Sequence, residues 1–176
     1  MKSKTAKFFE FSLLLFPFLS LLSIPLHSSA LTITLCTFTY HFYERMLSGV
    51  LSSLIRVKGS SPLFIVREWE MKLYKALRVK EWKSYAPTYK PEAFEVKNLE
   101  TLKKAMLSSE LCHILCFIFS YLPPILSLFI PYLNSSFLVF FLTSFFSSLF
   151  DFSLIIIQRF NRKRVERISL LHHIVQ

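Results

Sequence analysis

Glycine is almost missing from this chain, with only Gly49 and Gly59 in 176 residues. Loops that cradle phosphate through bare backbone need several glycines close together, so P-loop and dinucleotide-binding chemistries are excluded. There is no G-x-S-x-G elbow either, which removes the common hydrolase nucleophile. The three cysteines, Cys36, Cys112 and Cys116, lie in or beside apolar stretches without metal-ligand spacing, and they read as small buried thiols. Charge is the other scarcity: residues 11–43 hold no Asp, Glu, Lys or Arg, and residues 111–158 hold only Asp151. Such tracts exceed the roughly 20 residues that a helix needs to cross a hydrocarbon layer. With 53% hydrophobic residues and 20 Phe, much of the chain has lipid as its solvent.

What charge there is has one dominant sign, 21 Lys and Arg against 11 Asp and Glu, a formal +10. Because the basic residues flank the apolar blocks, membrane topology accounts for them and no nucleic-acid partner is expected. A basic leader at residues 1–7 precedes an apolar run over 8–26, which reads as a first span or as a secretory signal with small residues at Ser28-Ser29-Ala30. The next segment, 31–43, is short for a span unless it continues through Glu44 and Arg45, which suggests a kinked or interfacial helix. Apolar blocks over 111–132 and 137–157 follow later, the first interrupted by Pro123-Pro124, and the uncharged turn between them makes the pair a hairpin. Arg159, Arg162, Lys163, Arg164 and Arg167 come directly after it.

The expected fold is an all-α integral membrane protein with about four hydrophobic helices and a basic amphipathic helical insertion on the cytoplasmic side. Its parts are N-terminal hydrophobic segments (1–55), a basic interfacial domain (56–108), a transmembrane hairpin (109–158) and a basic tail (159–176). Placing the leader, the insertion and the tail in the cytoplasm leaves outside loops free of Lys and Arg, as a multi-pass cell-membrane protein requires. Within the insertion, residues 64–82 put Ile65, Trp69, Leu73, Leu77 and Val79 near one side of a helix, with Lys and Arg opposite. Such a helix lies on an anionic membrane surface or packs on its own domain. Pro87 and Pro91 mark a loop, and helix resumes at 99–109.

Candidate chemistry gathers at the two ends of the hairpin. Glu110 and His113, three residues apart, project from one helix face, where a carboxylate can orient an imidazole as general base; the alternative is a helix-entry ion pair. Gln158 and Asn161, also three apart, alternate with Arg159 and Arg162, whose forked donors suit a phosphate or a carboxylate; the alternative is a stop-transfer cluster. A hairpin brings these two groups to one membrane face. Trp82 and Lys83 add an aromatic plane and a cation for a head group or a sugar ring, or simply a buried Trp beside a solvated Lys. The Glu-x-x-His spacing is half of a di-metal site, but no second copy exists, and no metal or other cofactor is expected.

These residues in order, Trp69-Glu70, Leu73-Tyr74, Val79-Lys80-Glu81-Trp82-Lys83, Pro87, Glu110-Leu111-Cys112-His113 and Gln158-Arg159-Phe160-Asn161-Arg162-Lys163-Arg164, resemble the glycosyl-4,4'-diaponeurosporenoate acyltransferase family. The resemblance implies transfer of an acyl group from an activated fatty acyl donor, such as acyl-CoA or acyl carrier protein, to the sugar of a glycosylated carotenoid or similar glycolipid in the membrane. It implies a site of Glu110, His113, Gln158, Arg159, Asn161 and Arg162. The chain departs from the family pattern at Ala105-Met106-Leu107-Ser108-Ser109, which lacks an acid and a guanidinium, at Asp151-Phe152-Ser153 in place of Asn-x-Pro, and at Phe160 in place of Tyr. The rival expectation is a non-catalytic membrane protein that docks on anionic lipid or a partner enzyme through residues 56–104.

Overall fold

The computed structural model describes residues 29–82 and 99–175, together with positions 15, 17–19 and 21. Every regular element among the described residues is a helix: α1 Ser29–Leu54, α2 Glu68–Ala76, α3 Val79–Trp82, α4 Leu99–Phe119, α5 Leu122–Phe129, α6 Pro131–Asn134 and α7 Phe137–Val175. Two stretches, Leu99–Phe129 and Phe137–Leu170, are long and apolar enough to cross a membrane. The choice between a first span and a signal, the loop around Pro87 and Pro91, and Lys83 all lie outside the described residues. The chain forms two compact units, Met1–Ser48 with Cys116–Leu149, and Gly49–Leu115 with Phe150–Gln176.

In the first unit, the prolines divide the third apolar block into two helices instead of kinking one. Pro123 has no N–H to give the carbonyl of Phe119, four residues back, so α4 ends there and Pro123 and Pro124 occupy the first turn of α5, where their missing donors cost little. The hydroxyl of Tyr40 donates to the freed Phe119 carbonyl at 2.7 Å. A neighbouring helix thus satisfies what proline removes.

Helix α1 runs without a break through Glu44 and Arg45, the continuation that the short apolar segment 31–43 left open. The reason is that both charges find partners: Glu44 receives the Ser120 hydroxyl at 3.3 Å and lies 3.2 Å from His41 Nδ1, while Arg45 donates to Ser147 Oγ and to the His41 carbonyl, both at 3.0 Å. On α7, Ser144 and Ser148 are buried while Leu138, Phe141, Phe145 and Phe146 are exposed. Polar groups inside and phenyl rings outside is the arrangement expected of helices whose solvent is hydrocarbon.

The second unit corrects the expectation of one helix over 64–82. Residues 65–67 have no regular structure, Arg67 is extended, and α2 begins only at Glu68, with the Glu70 carboxylate accepting the Arg67 backbone N–H at 3.1 Å in one half of a capping box. The helix stops at Leu77, and Arg78 takes a left-handed conformation, φ 53°, before α3 starts. Trp82 Nε1 then donates back to the Leu77 carbonyl at 3.0 Å. Val66, Met71, Tyr74, Val79 and Ile156 form the core here, joined by Trp82 and Phe160 at its edge. Ile65, Trp69, Leu73 and Leu77 are exposed on the outer face, so the predicted apolar stripe does not pack on its own unit; Val79 leaves the stripe and is fully buried.

Candidate functional site

The centre of the second unit is a buried arrangement of two guanidinium groups and two carboxylates. Glu110 projects from α4 with 0% exposure, and Arg162 projects from α7 with 1%. Arg162 Nη2 donates to Glu110 Oε2 at 2.9 Å and to the Phe64 carbonyl. One turn earlier on α7, Arg159 Nη1 donates to Glu110 Oε1 at 2.6 Å. Burying Glu110 is tolerable because both of its oxygens receive charged donors.

Arg159 uses its whole fork. Nε and Nη2 grip the two oxygens of Glu70 at 2.8 and 3.1 Å, and the remaining N–H groups reach Glu110 and the backbone carbonyls of Leu63 and Ile65 at 2.8 and 3.1 Å. A guanidinium has five N–H donors, and five acceptors surround this one. The segment 63–67 is therefore tied to α7 through its own carbonyls, which explains why helix cannot begin at Phe64. Tyr74 completes the group by donating to Glu70 at 2.8 Å.

Burial pushes the Glu70 carboxyl up, but hydrogen bonds from Arg159, the Arg67 backbone and Tyr74 outweigh it and hold the group below the ordinary carboxylate value. The Tyr74 hydroxyl is pushed up by burial and by the adjacent Glu70 charge, which keeps it a donor.

His113 has a different partner from the one its spacing suggests. Its Nδ1 lies 3.1 Å from Asp151 Oδ1, on α7, and Asp151 is fully buried while the His113 side chain keeps 17% of its surface. Glu110 faces the two arginines instead, so the Glu-x-x-His element feeds two separate interactions. The His113–Asp151 pair has the geometry of an imidazole held in one tautomer by a carboxylate, which leaves Nε2 to accept a proton.

Of the residues singled out in the sequence, Glu110, Arg159 and Arg162 meet directly, and Asn161 is buried beside them on α7. Gln158 is half-buried and has no part in the carboxylate–guanidinium network. Trp82 caps the end of α2 from the edge of the core, with its indole N–H on the Leu77 carbonyl. The fork of Arg159, read as free for a phosphate, is filled by Glu70, Glu110 and backbone carbonyls, and Arg162 is buried with its Nη2 on Glu110 and the Phe64 carbonyl. Sequence reasoning missed Glu70 and Asp151 as partners. For Asp151 the signal was present, since a lone carboxylate in a 48-residue tract without other Asp, Glu, Lys or Arg needs a partner.

A family model described as CrtO, glycosyl-4,4'-diaponeurosporenoate acyltransferase, matches residues 60–170, a stretch that contains Glu70, Glu110, His113, Asp151, Arg159 and Arg162. No curated protein and no solved structure matches the chain.

Proposed function

The chain belongs to the glycosyl-4,4'-diaponeurosporenoate acyltransferase family, and on that premise we propose that it is a membrane enzyme which esterifies a sugar hydroxyl of a glycosyl carotenoid acid or similar glycolipid with a fatty acyl group. The observation that carries the reading is the His113–Asp151 pair at 3.1 Å, inside the matched stretch and between the two most apolar helices. The acyl donor is a thioester, on coenzyme A or an acyl carrier protein, and no further cofactor takes part.

In this reading His113 Nε2 takes the hydroxyl proton while Nδ1–H donates to Asp151. The sugar oxygen bonds to the acyl carbonyl carbon, the carbon–sulfur bond breaks, and the imidazolium returns its proton to the departing thiolate. Glu110, Arg159 and Arg162 act by holding segment 63–67 and the two long helices in register around the histidine, and Gln158 and Asn161 supply nearby amides for the acceptor. The chain has four spans, with residues 56–108 and both termini on the cytoplasmic side, and 109–158 forming the hairpin. The exposed stripe of Ile65, Trp69, Leu73 and Leu77 rests in the membrane interface.

That stripe also favours a second reading, a non-catalytic protein that docks on anionic lipid. Arg159→Lys does not separate the two readings, because Arg159 holds the fold together in either case. His113→Ala does. In membranes supplied with a glycosyl carotenoid acid and palmitoyl-CoA, this change lowers acyl transfer by about 10²- to 10⁴-fold if His113 is the base. Transfer equal to wild type at equal protein level would end that role, and the absence of transfer by either protein would favour the docking reading.

A further inference from the structure

A cleft of about 430 Å³ lies between the α2–α3 corner and α7. Its rim carries five cations, Lys75, Arg78, Lys80, Arg164 and Arg167, against one carboxylate, Glu81. Its floor is apolar, made by Met71, Tyr74, Val79 and Phe160. Met71, Tyr74 and Val79 are buried core residues, so the floor is rigid; all five rim cations are exposed. Such a volume is within the range of small-ligand sites.

A second observation falls at the same place. Arg78 is the one non-glycine residue with positive φ among the described residues. A left-handed arginine is unfavourable, and the position just past a helix end is one that glycine fills at no steric cost. Keeping arginine there sets its guanidinium on the rim, where Nε donates to Glu81 at 2.8 Å. Strain of this kind gathers at sites where geometry serves binding.

We propose that this cleft binds the phosphate head of an acyl-bearing amphiphile, with the rim cations on the phosphates and the Met71–Tyr74–Val79–Phe160 floor under the adjoining apolar chain. The identification of that amphiphile as the acyl donor rests on the acyltransferase reading, whereas the anion-binding role does not. Two sources share the chemistry, a nucleotide-borne acyl thioester and an anionic phospholipid. Arg159, with all its donors occupied, and Arg162, buried against Glu110, leave the task to this neighbouring set.

The test uses the full chain in phosphatidylcholine nanodiscs, with palmitoyl-CoA as one probe and added phosphatidylglycerol as the other. Lys75→Glu combined with Lys80→Glu weakens binding by about tenfold or more, the loss expected when charge-assisted contacts become repulsive. Lys58→Glu combined with Lys72→Glu makes the same change of net charge outside the cleft and leaves binding unaltered. Arg78→Gly weakens binding while the thermal midpoint stays or rises, which separates a lost contact from a lost fold. Loss confined to palmitoyl-CoA identifies the thioester as the source, and loss confined to phosphatidylglycerol identifies the lipid. Equal losses for the two double variants, or unchanged binding of both probes in the cleft variants, would overturn the proposal. Intact palmitoyl-CoA binding in a protein that transfers no acyl group would refute the enzyme reading and leave the cleft standing.

Discussion

Glu110 is the residue on which the second unit turns, because it receives Arg159 and Arg162 at once while wholly buried. Removing its charge leaves the buried Arg162 with no carboxylate nearer than Glu166 at 3.7 Å, while Arg159 keeps Glu70. Glu110→Gln should therefore destabilise the protein by about 3 to 5 kcal/mol, seen as a lower melting temperature in detergent. Asp151→Asn, by contrast, should lower transfer more than stability, since the amide keeps the packing and loses the charge that faces His113. Glu70 carries a pH dependence. Its folded-state value lies below the ordinary 4.5, so its contribution is complete above that value and is lost as pH falls through the lower one. The gap in melting temperature between wild type and Glu70→Gln should narrow below pH 4.5. At this scale the sequence exposed the residue types but not their pairing. Three-residue spacing put Glu110 and His113 on one face, yet their partners come from 49 and 38 residues further along, a separation no local pattern reveals.

The α2–α3 corner is the element that departs most from its periodicity. Apolar spacing over 64–82 suggests one helix, but the carbonyls of 63–65 are claimed by arginines from α7, and Arg78 turns the chain in a left-handed conformation. Tertiary demand overrode local preference at both ends. Because glycine fits that conformation without a Cβ clash, Arg78→Gly should raise stability by about 1 kcal/mol. A melting temperature lowered by this change would mean that the Arg78–Glu81 contact outweighs the backbone strain. The stripe itself was legible, though only the structure shows that Ile65, Trp69, Leu73 and Leu77 face away from the core. The prolines were legible as a disruption but not as a helix boundary, because the outcome depended on Tyr40 reaching Phe119 from another helix.

For the whole molecule, helical class and the two most apolar stretches could be read directly from charge-free tracts, which composition alone defines. What composition could not decide is which side of each helix meets the surroundings. On α7, Leu138, Phe141, Phe145 and Phe146 face outward, and Ser144, Ser148 and Asp151 inward. Phe146→Asp should then cost about 2.5 to 3.5 kcal/mol of membrane insertion, measured as the fraction of chain integrated into membranes. An exposed phenylalanine on a water-soluble protein would accept the same change with little loss, so unchanged integration would contradict lipid contact at that face.

The unbroken course of α7 has one more implication. Its 39 residues extend about 58 Å at 1.5 Å per residue, nearly twice a bilayer's apolar thickness. Asp151 and Arg164 sit on this single rod, about 20 Å apart along its axis. With His113 as the proposed base and the cleft as the proposed anion site, that spacing would favour ligands whose anionic end and reactive carbon are comparably separated. Truncated thioesters that keep the acyl chain but lack the nucleotide would reach only one of the two marks.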